Sequence, residues 1–546
     1  MASIGNRAFY ECKSLQSITI PAGVSSIGRS AFERCYSLTS LAIPENVTVL
    51  QDRMFADCGN LTSVSIPNGT TSIGNYTFSG CSSLLAVTIP SCVEVIGDGA
   101  FGNCSSLTSI ELPENITSIA EELFSMCFSL TSVSIPTKVD FIEKKAFYLC
   151  IGLKSIVIPE GVTEIHNSTF YGCSELTSVV LPDSVLTIED EAFLECNSLG
   201  SINMPKGLTS IGSKAFSGCI SLESITIPDS TTSLGDHLFQ RCSGLTSVVL
   251  PKGVTSIGEG MFSGCQSLKS VAIPESIVSI GKEAFCQCSS LEKFVVPKGV
   301  TSIGMKAFSE CSSLKSLVLP EGIDQIPVSM LSDCGQLESI VIPENVASIG
   351  DCAFVRCSSL KSVTIPNGVT SIGIYVFTQC CALSSIKLPD GFKAVPAGLL
   401  FNCTSLASFE IPDSVIDVDS YAFFGCTTLA SIVIPESVKG IGYGAFQGCS
   451  SLKTIKIPSG VDYIYSKLFK DCVELVSVDL PENVSVISDG AFWNCQKLAS
   501  VKIPDRVAKI DSATFFNCCS LTSITIPESV TEICAHAFCL CSGLRS

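Results

Sequence analysis

The amino-acid sequence predicts an α/β repeat solenoid, and three observations carry that prediction. A proline recurs every 23 residues from Pro21 through Pro527. A cysteine recurs at the same interval from Cys12 through Cys541. Between them the apolar residues keep one order, as in the stretch Leu245 to Leu268. A constant period of this length marks stacked units, none of which can bury its apolar side alone. Ordinary globular sequence of 546 residues would suggest three or four domains. Here a single solenoid over residues 1–546 is expected, with about 23 coils, partial coils at both ends and no recognisable caps.

Counted from Pro251, the apolar positions of one coil are Val254, Ile257, Met261, Phe262, Cys265, Leu268, Val271 and Ile273, before Pro274 opens the next. In Leu268-x-x-Val271-x-Ile273 the last two apolar residues alternate with polar neighbours, the pattern of a strand with one buried face. These strands are expected to form a parallel sheet on the concave side. Proline cannot donate to a ladder and biases the preceding residue towards extended geometry, so it closes the strand. Val254 to Ile257 suits a second, short extended piece. Met261, Phe262 and Cys265 fall at helical spacing, which predicts a short α or 3₁₀ turn on the convex side. Strands about 4.8 Å apart would give a contour of about 110 Å.

The phenylalanine column is filled in 22 of 24 coils and fails only at Leu331 and Leu400. In those two coils the position often held by glycine becomes Pro327 and Pro396. Glu143, His166, Glu189 and Tyr465 occupy the same column elsewhere, so it cannot require a positive φ. Proline suits the first residue of a helical turn. Both coils are therefore expected to keep the fold, with a locally shifted convex segment and an unbroken parallel ladder.

Of the 31 cysteines, 24 lie in one column, three residues before the leucine column. They read as a buried ladder of free thiols, because unpaired cysteine packs as a small hydrophobe. Cys92, Cys286, Cys352, Cys381, Cys519, Cys534 and Cys539 lie outside it. No doubled C-x2-C pair occurs, so no metal site is read from the cysteines.

A net charge of −18 argues against nucleic acid, since phosphate neutralisation needs clustered Lys and Arg. No apolar run approaches the roughly 20 residues of a membrane span, and no leader pattern is read at the start. Sequons such as Asn46-Val-Thr48 are expected by chance in a chain this rich in Ser and Thr. The three histidines, His166, His237 and His536, are at least 71 residues apart. That is about three coils, roughly 15 Å, beyond hydrogen-bond reach. No catalytic residue and no cofactor is assigned.

The unit Leu-x-x-Ile-x-Ile-Pro-x-x-Val-x-x-Ile-Gly-x-x-Ala-Phe-x-x-Cys-x-x-Leu appears nearly verbatim from Leu360 to Leu383. Along the whole chain it resembles the BspA-like, Treponema-type leucine-rich repeat family. The resemblance implies a curved leucine-rich-repeat right-handed superhelix with a concave parallel β-sheet. It also implies a cell-surface or secreted adhesion or interaction protein that binds host or matrix protein. Since no leader or anchor is read here, a cytoplasmic place is the alternative.

On each concave strand two residues face outwards. The first is serine in 20 of 23 coils, with Ala86, Lys293 and Thr454 as exceptions, and reads as structural. The second varies: Val249, Ala272, Val295, Val318 and Val341, then Lys387, Glu410, Val433, Lys456, Asp479 and Lys502. An apolar stripe beside mixed charge suits a protein-binding face. Val249, Val295, Val318, Val341, Lys293, Lys387, Glu410 and Lys456 are the expected contact residues. The alternating Lys269, Glu292, Lys315, Glu338 and Lys361 read as a register and solubility ladder. The function expected is non-enzymatic recognition of a protein partner. The alternative is a scaffold that assembles head to tail through uncapped ends.

Overall fold

The computed structural model describes residues 2–546, which fall into two compact units, Met1–Ile277 and Val278–Ser546. Within each unit the chain winds as a parallel-strand solenoid with a 23-residue step. The coil that starts at Pro182 shows the construction. The Val185 amide donates to the Pro182 carbonyl at 3.2 Å, which closes a tight turn at the proline. The strand Thr187–Ile188 then pairs with Glu164–Ile165 on one side and Ser210–Ile211 on the other. The longer strand precedes the proline: Ser178–Val180 pairs with Ser155–Val157, its middle residue buried and its outer two exposed. Alternation of side chains across a pleat dictates this, because only the middle residue can reach the core.

No helix occurs among the described residues, and this corrects the expected helical turn. In every coil the residues two before and two after the phenylalanine position have positive φ, as at Glu191 (58°) and Glu195 (60°). Left-handed residues at those points rotate alternate amides out of the local turn. The amides of Glu191, Phe193 and Glu195 donate to the carbonyls of Ser213, Ala215 and Ser217 in the next coil, at 2.9, 2.8 and 2.8 Å. Those of Ala192, Leu194 and Cys196 bond back to the residue three before. A helix would aim all six along the chain and leave neighbouring coils unbonded. Each left-handed non-glycine residue costs about 1 kcal/mol or more, and each inter-coil bond returns about the same.

The column that often carries glycine keeps ordinary φ, as expected. Glycine sits there for close approach: a Cβ at Gly74 would lie 2.7 Å from the Asp52 amide nitrogen.

The two proline coils behave otherwise than expected. Their turn segments are not displaced, since Leu331 donates to Ala353 and Leu400 to Ala422, both at 2.9 Å. The short-strand ladder is interrupted instead, between Ile303 and Ile326 and between Ile372 and Val395. Gly304 and Gly350 give their amides to Ile280 and Ile326 at 2.8 Å, and Pro327 and Pro396 have no such proton. The expectation of an unbroken ladder is thereby overturned. The ladder also stops where no proline stands, between Ile27 and Leu50, Ile96 and Ile119, Ile142 and Ile165, Leu234 and Ile257, and Ile441 and Ile464, so proline is sufficient for a break and not required.

The core is a set of columns. Phe193 is fully buried and stacks on Phe170 and Phe216 with ring centroids 5.3 Å apart on each side. In the second unit the stack lapses at Leu331 and resumes from Phe354 to Phe377, then lapses at Leu400 and runs from Phe423 to Phe538. All 31 cysteines are free thiols. The column members are buried apart from Cys12, which is exposed, and Cys541, which is partly so. From Cys35 on the thiols donate across the stack, as Cys196 does to the Phe170 carbonyl at 3.2 Å. Burial pushes the Cys242 thiol up to about 12.

Two outcomes follow from this packing. Phe193→Ala should cost about 3–5 kcal/mol in denaturant unfolding, and Phe193→Leu distinctly less, because Leu331 and Leu400 already fill the same slot. Equal losses would contradict a stacked column that accepts leucine. Maleimide at neutral pH should label Cys12, Cys92 and Cys381 first, while buried thiols such as Cys196 react only on unfolding.

Candidate functional site

The outward positions of the longer strands form the first candidate surface. In the second unit Val295 lies opposite Val318, and Leu317 opposite Ile340, which puts Val318 and Val341 at equivalent adjacent positions. Their exposures of 66%, 54% and 80% are high for valine. Side chains in the core positions between them are buried, so the valines face out because the strand period leaves them no alternative. Lys293 is exposed at the other outward position of the first strand. Val341 is opposite Thr364, and Thr364 opposite Lys387, which continues the column into charge. A groove of about 420 Å³ runs beside Lys387, lined also by Thr364, Asn367 and Asp390.

The other expected residues do not all join this patch. Val249 belongs to the first unit, where it is exposed and lies opposite Thr226. Glu410 pairs with Val433, and Lys456 lies opposite Asp479, on strands that are not neighbours of Lys387. The sequence reading passed over Val157 and Val180, an exposed pair directly opposite one another in the first unit. They occupy the same outward column, which was the signal that could have found them.

Electrostatics pins some of these charges. Lys315 lies 3.7 Å from Glu292 and Lys361 lies 3.0 Å from Glu338, so the expected ladder forms as ion pairs between coils. Being exposed, each contributes little. Lys456 is held by Glu436 at 2.8 Å. Its ammonium, with the Ser459 amide and hydroxyl, brings the Glu436 carboxyl down to about 2.

A second cluster lies at the interruption after Ile142. Glu164 and His166 come from one coil and Glu189 from the next. His166 Nδ1 lies 3.2 Å from Glu189 Oε2, and Nε2 lies 3.7 Å from Glu164 Oε2. The Nε2 atom is buried without a hydrogen-bond partner. Glu189 Oε2 also accepts the Asn167 amide at 2.9 Å, and the Phe141 ring packs against the imidazole at 4.9 Å. A groove of about 610 Å³ opens beside the two carboxylates and Asp190. Along the chain His166 and Glu189 stand out only as exceptions to a glycine column, and the spacing of the histidines gives no sign of carboxylates beside one of them.

The fold and its outward strand face define a leucine-rich repeat solenoid. Residues 2–131, 117–246, 235–361, 325–439 and 417–545 match the family model described as BspA type leucine-rich repeat region, and the chain belongs to that family. Among solved structures it is similar to a leucine-rich repeat protein from Bacteroides ovatus, 25% identical over 77% of this chain and 88% of that one, with a TM-score of 0.42. It is similar to a leucine-rich cell-surface protein from Faecalibacterium prausnitzii, 28% identical over 68% and 87%, with a TM-score of 0.34. The pneumococcal vaccine antigen PcpA is 20% identical over 70% and 89%, with a TM-score of 0.35. No curated protein matches. Among the described residues no helix is long and apolar enough to cross a membrane.

The pinning of Lys456 has a direct readout. A carboxyl depressed on folding stabilises the native state above its unfolded value near 4.5, and that contribution is lost as pH falls towards 2. In a carbon-detected NMR titration Glu436 should therefore titrate near pH 2 in the native protein, and Lys456→Met should move the midpoint up towards 4.5. An unchanged midpoint would remove Lys456 as the cause.

Proposed function

We propose that the protein is a non-enzymatic binding module that recognises another protein through the outward face of its longer strands. The observation that carries this reading is the column Val295, Val318 and Val341, exposed and in register beside Lys293 and Lys387. A folded chain gains nothing by exposing three large apolar side chains in a row, whereas a partner that covers them gains roughly 25 cal/mol for each Å² removed from water. The flanking charges set orientation and exclude wrong partners. Val249 in the first unit, and Glu410 and Lys456 in the second, occupy the corresponding outward strand positions of their own coils and are proposed as further contacts. The family supports protein recognition as the class of function. Adhesion, and display at a cell surface or secretion, belong to the same proposal and rest on the family resemblance.

Val295→Glu, Val318→Glu and Val341→Glu combined should weaken capture of a host or matrix protein by at least about a hundredfold in surface plasmon resonance, with stability within about 1 kcal/mol of the parent. The matched control is Ser339→Glu on the same strand, at the serine position, and it should have the smaller effect. A partner that binds the triple variant with unchanged affinity overturns the valine column as the contact.

A further inference from the structure

The geometry points to a binding site for one divalent first-row transition-metal ion, held by His166, Glu164 and Glu189 in the first unit. The column that holds glycine in 12 of 24 coils reads Glu143, His166, Glu189 through three successive coils. A side chain in this column crowds the preceding coil, as the contact a Cβ would make at Gly74 shows, so three large polar residues in a row go against the packing preference of the repeat. The two coils that supply the cluster are paired, Glu164 opposite Thr187 and Ile165 opposite Ile188, which fixes the position of His166 relative to Glu189. Glu143 does not join the cluster, but Glu164, two residues before His166 on the same strand edge, does.

Packing alone does not account for how the three side chains meet. A neutral imidazole has one N–H and one lone pair, and here a carboxylate oxygen stands near each ring nitrogen. In either neutral tautomer a lone pair faces a carboxylate, which is repulsive unless the ring takes a second proton or a metal ion sits against that nitrogen, and titration with zinc separates the two. Nε2 is the atom left buried without a partner, 3.7 Å from Glu164 Oε2. Ligands at about 2.1 Å from a tetrahedral ion are separated by about 3.4 Å. The three donor atoms, one from each residue, lie within 4.8 Å of one another, so small rotations of two half-exposed glutamates complete the approach.

The surroundings suit an ion as well. The Asn167 amide orients the Glu189 carboxylate, and the Phe141 ring fixes the imidazole, as supporting groups do around metal ligands. The His166 side chain is 15% exposed, and the adjoining groove admits the ion and supplies water as further ligand. One imidazole with two carboxylates suits zinc and its neighbours, whereas calcium takes oxygen ligands only.

The test uses the full chain, stripped with chelator and with its accessible thiols blocked by N-ethylmaleimide so that cysteine does not compete for the ion. Zinc chloride is titrated calorimetrically into the parent and into His166→Gly, Glu189→Gly and Glu164→Gln. The two glycine variants return the column to its commonest residue and are expected to fold. The parent should bind one zinc ion more than His166→Gly, and the glutamate variants should bind at least about tenfold more weakly. Zinc should also raise the Tm of the parent and not that of His166→Gly, while His237→Ala behaves as the parent. The cobalt-loaded parent should show no sulfur-to-metal charge-transfer band. Equal stoichiometry in the parent and His166→Gly overturns the site, as does a sulfur band in the cobalt spectrum. Occupancy that survives both glutamate substitutions overturns it as well.

Discussion

The structure depends on one constraint: within each unit a coil satisfies its amides and covers its apolar side chains only against its neighbours. Alternate amides of the turn segment leave their own coil, the thiol column reaches back to the carbonyls of the preceding coil, and the phenyl rings stack between the two. Identical residues therefore lie over identical residues. Coupling of this kind makes stability approximately a sum of nearest-neighbour terms. A constant 23-residue period is the arrangement that keeps every column in step from one coil to the next.

The same constraint explains where the structure accepts local cost. Left-handed residues recur at two places in every coil, and 37 of them are not glycine. Their conformational strain is borne because it frees the outward amides for the next coil. Proline in the glycine column removes an amide that would bond to the preceding coil, and the short-strand ladder stops there while the turn segment continues; the longer strands run on past Pro327 but end at Lys387 before the Pro396 coil. The repeat thus tolerates loss of strand pairing where the turn-segment bonds remain, as the amides of Tyr375, Phe377 and Gln379 still reach the next coil.

Function has to be built from what the stack leaves outside. Core columns are committed to packing, so variation is confined to outward strand positions and to occasional breaks in the glycine column. The first gives a valine stripe that grades into charge, a surface whose chemistry can be retuned coil by coil without disturbing the core. The second sets an imidazole beside two carboxylates drawn from adjacent coils, whose short strands are paired in register. Both exploit the translation of one coil onto the next, since residues 23 apart become spatial neighbours.

Periodicity alone carried much of the architecture. The strand positions, the buried Phe and Cys columns, the role of proline and the outward Val295, Val318 and Val341 were legible because burial alternates along a strand and the repeat multiplies each sign many times. The turn was misread as helical, since Met261, Phe262 and Cys265 share a helical spacing whether or not the backbone between them is right-handed. Left-handed φ falls on Arg, Glu, Asp and Lys as readily as on glycine, so composition gave no sign of it. The cluster of Glu164, His166 and Glu189 was hidden for a related reason: its members are unremarkable along the chain and become a site only through contact between coils. Patterns repeated in every coil can be read in one dimension. A feature made by the difference between two neighbouring coils exists only once they are stacked.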